Sequence, residues 1–230
     1  MAKVTPELFE VLNDPKAETT LARLYRAALK QGWGMVFHFL PKAFKLYGKG
    51  IDWKTEDERF YDDKYIPILP YQGTFLYMQA RALGAKNILE FGTSYGISTI
   101  YLGKAAKDNG GRVISTEYLS HKVKVAREHI AEAGLSDFVD ILEGDARETL
   151  KDLDTPWDFV LLDGWPDLVY PIFKLIEPNL KKGTVIAVDD VAGFQPSMKG
   201  YIDYVRNPEN GYLSTTIYPK KAMEFTIKIR

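Results

Sequence analysis

Residues 88–99 read Ile-Leu-Glu-Phe-Gly-Thr-Ser-Tyr-Gly-Ile-Ser-Thr. An apolar run, two closely spaced glycines and a helix-compatible stretch make a strand–loop–helix unit of the kind that opens an α/β sheet. Gly92 and Gly96 let the backbone turn sharply and approach a ligand with no Cβ in the way. Their spacing is G-x-x-x-G, not the G-x-G-x-x-G that brings a backbone against a pyrophosphate. Glu90 stands just before the loop, where a carboxylate would repel a pyrophosphate and suit an ammonium or sulfonium group. A generic glycine-containing turn remains the plain alternative for the motif taken alone.

The sequence on either side repeats the pattern. Apolar runs at Asn87–Phe91, Arg112–Thr116, Val139–Leu142, Phe159–Leu162 and Thr184–Val188 predict strands. Helix-compatible stretches at Gly73–Leu83, Ile97–Lys107, His121–Ala133 and Leu168–Glu177 separate or precede them. Strands that are apolar on both faces and joined by helices imply a buried parallel sheet. The last two runs, Tyr-Leu-Ser-Thr-Thr-Ile-Tyr-Pro and Ala-Met-Glu-Phe-Thr-Ile-Lys-Ile-Arg, meet at Lys220-Lys221. Too little chain lies between them for a helical crossover, so they predict an antiparallel hairpin at one sheet edge. The fold class is α/β: a Rossmann-like, doubly wound, mostly parallel sheet with a C-terminal hairpin and an N-terminal helical extension.

That extension is read as residues 1–60, and the sheet domain as 61–230. Helices are predicted around residues 5–12, from Lys16 to Lys30 after Asp14-Pro15, and around Met35–Tyr47, with Pro41 bending the last. An acidic loop follows, from Asp52 to Pro70. Trp33, Phe37, Phe39, Phe44 and Trp53 are candidates for a planar-substrate pocket, for the core of the extension, or for a homodimer surface. The 230 residues suffice for one large domain, and a net charge of −1 gives no global pull toward nucleic acid or anionic membrane. The chain has no cysteine, which excludes disulfides and thiolate chemistry. No apolar run approaches ~18 residues, and the N-terminus lacks the order of a signal peptide, so a cytoplasmic protein with no membrane partner is expected.

In an open α/β sheet, ligands bind at the carboxyl ends of the strands. Glu117 ends the second strand, where a carboxylate can hold a ribose diol. Asp145 follows the third, within reach of an adenine amino group. An adenosine ligand with a cationic amino-acid tail fits these acids together with Glu90. Asp163 ends the fourth strand and Asp189-Asp190 the fifth. Three carboxylates at neighbouring strand ends would repel, and a hard divalent cation such as Mg²⁺ or Ca²⁺ would relieve the repulsion. A metal-free acidic pocket, or acids that cap a loop or pair with lysine, is the other reading.

The segments Glu-Phe-Gly-Thr-x-x-Gly-x-Ser-Thr, Val-Ile-Ser-Thr-Glu and Trp-Asp-Phe-Val-Leu-Leu-Asp-Gly-Trp together resemble the catechol and caffeoyl-CoA O-methyltransferase group, class I enzymes that use S-adenosylmethionine. The resemblance runs over roughly residues 65–230 and is most specific at 159–191. It implies that Glu90, Gly92, Ser94, Gly96 and Ser98 line the methionine part of the cofactor. It further implies Glu117 at the ribose, Tyr118, Asp145, Ala146 and Arg147 around the adenine, Trp165 closing over it, and Ile68 and Asp163 in contact. Asp163, Asp189 and Asp190 would hold the metal, which binds two neighbouring substrate oxygens and lowers a hydroxyl pKa.

One position departs from the pattern. The resemblance implies a general-base lysine three residues after the first metal-binding acid, and here that position is Pro166. Asp163 becomes the candidate catalytic group. Asp167, the metal alone, a residue of the extension or an already ionised substrate are the alternatives. His121 and His129 are read as surface residues of one helix, and His38 as a satisfied histidine in the aromatic segment. Three functions follow: an O-methyltransferase acting on a small aromatic hydroxyl compound, a metal-independent methyltransferase acting on another nucleophile, and a Rossmann nucleotide-binding protein or oxidoreductase.

Overall fold

Neighbouring residues of each predicted strand fall into different hydrophobic layers. Ile88, Val113, Phe159, Leu161, Val185 and Ala187 join one buried cluster, while Leu89, Phe91, Val160, Leu162, Ile186 and Val188 join another. That period-two division is what a strand buried on both faces requires. The computed structural model describes residues 4–39, 58–191, 195–217 and 222–230. Its strands are β1 (Asn87–Phe91), β2 (Arg112–Glu117), β3 (Val139–Glu143), β4 (Trp157–Leu162), β5 (Leu180–Val188), β6 (Tyr212–Ile217) and β7 (Met223–Lys228). The helices are α1 (Pro15–Phe39), α2 (Pro70–Ala82), α3 (Ile97–Asn109), α4 (Ser120–Glu132), α5 (Ala146–Thr149), α6 (Pro166–Ile176) and α7 (Gln195–Arg206).

The sheet order is β3-β2-β1-β4-β5-β7-β6. Strands β1 to β5 pair in parallel, and the hairpin adds antiparallel pairing through β7 on β5 and β6 on β7. Helices α1 to α4 pack on one face, and α6 and α7 on the other. The chain runs outward from β1 to β3 and then returns to place β4 on the other side of β1. The loops after β1 and β4 therefore diverge at that junction, the crevice where such sheets take ligands.

The hairpin and the doubly wound sheet agree with the sequence reading. Strand β5 begins at Leu180, ahead of the expected Thr184. Its register against β4 shifts between Trp157 and Phe159, where Gly183 takes φ +92. The Thr184 hydroxyl donates to the Trp157 carbonyl at 2.7 Å and accepts from the Lys181 amide at 3.0 Å, bridging the irregularity.

Two helical expectations are corrected. Residues Pro6–Leu12 form a 3-10 helix, and α1 is continuous from Pro15 to Phe39, with no break between Lys30 and Met35. Its start is well made: Asp14 accepts from the amides of Lys16 and Ala17 at 3.2 and 3.4 Å, and the Glu18 carboxylate accepts from the Asp14 amide at 2.9 Å. Gly32 and Gly34 each cost about 1 kcal/mol in a helix, too little to end one of 25 residues. The rest of the third predicted helix, with Pro41 and Phe44, lies outside the described residues, as do Trp53 of the acidic loop, the side chains of Trp33, Phe37, His38 and Phe39, and the turn at Lys220-Lys221.

The N-terminal residues share the core of the sheet domain. Phe9, Leu12, Leu21 and Leu24 are fully buried in the cluster that holds Leu76, Ile100 and Tyr101. Phe9 stacks on Tyr25 at 5.5 Å and meets the edge of Tyr101 at 6.4 Å. Helix α2 presses on the same ring, since a Cβ on Gly73 would lie 2.3 Å from it. Alanine is the better helix former by about 1 kcal/mol, but the fully buried ring has no room to yield. Gly73→Ala is therefore expected to lose about 1–3 kcal/mol of stability to overpacking, measured by urea denaturation. Tyr101→Leu in the same chain should recover part of it, and a Gly73→Ala protein as stable as the parent would contradict this packing.

Candidate functional site

A cavity of about 760 Å³ opens at the carboxyl ends of β1, β2 and β4. Ile68, Gly92, Ser94, Ser98, Glu117, Tyr118, Asp145, Ala146, Arg147, Asp163 and Trp165 all line it. Residues assigned from scattered points of the sequence thus share one wall system. Glu90 and Gly96 do not line it. Gly96 caps α3 with φ +85, and a Cβ there would rest 3.6 Å from Ala126 of α4. Glu90 is fully buried on the α3 side of the sheet: the hydroxyls of Thr99 and Ser115 each donate to Oε2 at 2.5 Å, and Oε1 has no hydrogen-bond partner. Burial pushes its carboxyl above the usual range, against the hydroxyls of Ser115, Ser98 and Thr99 that hold it down.

The floor of the cavity is set by two touching loops. Gly92 has φ +103, and a Cβ on it would lie 2.6 Å from the Asp163 carbonyl oxygen. Across the contact, a Cβ on Gly164 would meet the Phe91 ring at 2.4 Å. The two loops thus close on each other with no side chain between them where the sheet divides. Glu117 is fixed beside it, its Oε2 accepting from the Ser94 amide at 2.8 Å and its Oε1 from the Leu119 amide at 2.9 Å. Each oxygen keeps a further lone pair for a ligand hydroxyl. Tyr118 stands 72% exposed at the rim, an aromatic face with no protein covering it. Asp145 accepts from the Arg147 amide at 2.9 Å and pairs with its guanidinium at 2.6 Å. That pairing holds its carboxyl below the usual range.

The expected metal ligands are placed differently from one another. Asp163 lines the cavity, with its amide on the Phe91 carbonyl at 2.9 Å. Asp189 is buried, and its Oδ1 accepts from Nε2 of Gln72 at 2.7 Å. Asp190 follows in the left-handed region at φ +50. Among the described residues, no group of three or more His, Cys, Asp or Glu side chains is gathered so as to hold a metal ion. Pro166 opens α6 at its first turn, where a missing N–H costs nothing.

Several residues of the site escaped the sequence reading. The segment 58–68, read as an acidic loop, forms a wall of the cavity together with Lys122 and Tyr95. Lys122 Nζ donates to the Tyr61 carbonyl at 3.1 Å and sits 5.5 Å over the Tyr95 ring. Tyr95 OH donates to the Asp62 carbonyl at 3.2 Å, and His121 Nε2 meets the same oxygen at 2.9 Å. Tyr61 meets the edge of Trp165 at 6.1 Å. Burial lowers the Lys122 pKa, against Glu117, Asp62 and Asp63. The acceptors are main-chain carbonyls, which leave no trace in a pattern of side chains.

These features define a Rossmann-like α/β domain with a cavity at the β1/β4 division. Residues 89–191 match the family model described as a methyltransferase domain. A catechol O-methyltransferase of Mycobacterium tuberculosis is 35% identical over 127 residues, 55% of this chain and 57% of that protein. Catechol O-methyltransferase B of Danio rerio is 33% identical over 162 residues, 67% of this chain and 59% of that one. The chain thus spans less than two thirds of the length of these relatives. Among solved structures, an O-methyltransferase from Bacillus cereus in complex with SAH superposes with a TM-score of 0.65 at 26% identity, covering 70% of this chain and 82% of that one. The resemblance to the catechol and caffeoyl-CoA O-methyltransferase group therefore holds in both sequence and fold.

His129, expected at the surface, is 7% exposed; its Nδ1 lies 2.9 Å from the Tyr95 carbonyl, and Tyr65 stacks alongside. Burial lowers its pKa from 6.5. Below that value the unfolded chain binds a proton that the folded one resists, so stability falls as pH drops through the window and is regained above it. His129→Gln is expected to flatten the Tm difference between roughly pH 7.5 and pH 5.5, the range that spans an ordinary histidine. An equal difference in both proteins would remove His129 as the cause.

Proposed function

We propose that the protein transfers the methyl group of S-adenosylmethionine to a hydroxyl of a small aromatic substrate. The observation that carries this reading is the tight turn at Gly92, closed against Asp163 and flanked by the immobilised Glu117 carboxylate. Such an arrangement fits an adenosine with an amino-acid tail. When bound, S-adenosylmethionine supplies an electrophilic methyl group. The protein's share is to bind and orient. Glu117 accepts the ribose hydroxyls, Tyr118 and Trp165 bracket the adenine, and the walls exclude water from the acceptor.

Asp163 faces the cavity beside Gly92, and with Pro166 unable to take a proton we assign Asp163 the deprotonation of the acceptor hydroxyl. A divalent cation, Mg²⁺ or Ca²⁺, is suggested by the acids at neighbouring strand ends and by the resemblance. The three acids do not gather around one point as they stand, and no step is drawn through a metal. The bond from Gln72 to Asp189 favours the metal-independent variant as the second reading. We carry residues 61–230 as the cofactor-binding domain with 1–60 as its extension, a cytoplasmic location and a possible homodimer into the same reading. No described helix is long and apolar enough to cross a membrane.

Calorimetry on the whole chain should show S-adenosylhomocysteine binding, and a catechol panel should show methyl transfer. Binding of NADH with none of S-adenosylhomocysteine would reverse the assignment. Gly92→Ala is expected to weaken S-adenosylhomocysteine at least about tenfold, since the added Cβ would meet the Asp163 carbonyl and push apart the two loops that line the cavity. Gly84→Ala, at φ +63 with open space around it, carries similar backbone strain and should bind normally. Asp163→Asn should lower turnover about 100-fold or more, as loss of a general base does. Turnover unchanged by EDTA and by Asp190→Ala would select the metal-independent form, and restoration by Mg²⁺ the metal-assisted one.

A further inference from the structure

Gln72 occupies the third position of α2 and is 4% exposed. Its two polar atoms serve different parts of the fold. Oε1 accepts from the Leu69 amide at 2.8 Å, and Nε2 donates to Asp189 Oδ1 at 2.7 Å, 117 residues away. The amide orientation is forced, because a backbone N–H only donates and a carboxylate only accepts. We infer that Gln72 is a positioning residue that holds the Asp189 carboxylate at the end of β5, next to the β4 end that carries Asp163, and that Tyr25 extends this hold to the N-terminal helix. The inference rests on the methyl-transfer reading above.

A helix start alone does not explain the choice of residue. Glutamate in the third position would accept from the Leu69 amide equally well, and the positive end of the helix would favour its charge. It would also set a second carboxylate against Asp189 in a buried place. Leucine would fill the space and serve neither partner, and lysine could donate but not accept. Glutamine alone of these satisfies both at once.

The neighbouring residues leave Gln72 little freedom. Gly73, the next residue, lies against the Tyr101 ring so closely that a Cβ would stand 2.3 Å away. On the other side, the Ile68 carbonyl accepts from the Tyr25 hydroxyl at 2.9 Å. Tyr25 comes from α1, is 5% exposed, and is stacked on Phe9. Burial first, then Tyr101, Asp189 and Asp163, push its phenol well above the ordinary value, so it stays a donor at any working pH. The N-terminal helix thereby acts on Asp189 through Ile68, Leu69 and Gln72.

The test uses the full chain with Gln72→Glu, Gln72→Leu and Tyr25→Phe. Gln72→Glu keeps the acceptor for Leu69 and loses the donor for Asp189, whereas Gln72→Leu loses both. In crystals of the S-adenosylhomocysteine complex, the Asp189 carboxylate of Gln72→Glu should move by about 1 Å or more, and kcat on catechol should fall at least about tenfold, the cost expected of such a displacement. KM for catechol and S-adenosylhomocysteine affinity should stay within about twofold, since the cofactor floor at Gly92 is untouched. Gln72→Leu should show the same kcat with a lower Tm. Tyr25→Phe should lower kcat several-fold with cofactor affinity intact.

If Gln72→Glu leaves Asp189 in place and turns over like the parent, Gln72 only caps α2 and the inference is overturned. An unchanged Tyr25→Phe would remove α1 from it. Absence of S-adenosylhomocysteine binding by the parent chain would instead sink the methyltransferase reading, and the position of Asp189 in unliganded crystals would still decide the role of Gln72.

Discussion

The contact between the loops after β1 and β4 is the constraint on which the site depends. At Gly92 the backbone sits so near Asp163 and Gly164 that a methyl group could not fit between them. This closeness follows from the sheet. Because β4 pairs directly with β1, the two loops leave adjacent strand ends, and Asp163 begins with its amide on the Phe91 carbonyl. The topology that splits the helices between two faces thus also presses these loops together. The cavity opens beside this closed pair of loops, and residues of both line it.

The walls are built from pieces that the sheet does not position by itself. The segment 58–68 is held by Lys122, His121 and Tyr95, which converge on two consecutive carbonyls, those of Tyr61 and Asp62. Gln31 of α1 adds a bond to the Asp63 carbonyl and accepts from the Tyr65 amide. One strip of chain with little secondary structure is therefore tied to α1, to the glycine loop and to α4. Polar side chains that look like surface residues in the sequence become clasps. Their partners are backbone oxygens that would otherwise be left without donors.

This division explains what could be read from the sequence. Strand faces were legible because alternate residues must enter opposite layers, and the hairpin because the chain between its strands is too short for a crossover. Gly92, Glu117, Asp145 and Asp163 were legible because strand ends in a parallel sheet gather at one edge, whereas Ser94, Ser98, Tyr118, Ala146, Arg147 and Trp165 came from the family resemblance. The continuity of α1 was not, since glycines at 32 and 34 look like a boundary while the cost of each is small. His129 was misread because the polar face of α4 lies partly under Tyr65 and Tyr95. The bond from Gln72 to Asp189 joins residues 117 apart and has no periodicity to announce it.

Glu90 stands before the glycine loop as the sequence places it, but behind the cavity wall and not in it. Its position before the glycine loop suggested a charge directed at a cationic ligand. In the fold its Oε2 collects the hydroxyls of Thr99 on α3 and Ser115 on β2. Ser115 in turn meets the Thr93 hydroxyl of the glycine loop at 2.5 Å, and Thr93 also donates to the Thr116 carbonyl at 3.1 Å. The carboxyl thus ties β1, β2, the first turn of α3 and the loop from beneath. Its remaining oxygen has no hydrogen-bond partner, a costly condition for a buried carboxyl, and burial raises its pKa. Anchoring of the loop is therefore the role that the fold gives this side chain, and it holds the glycine turn from which a wall of the cavity is built.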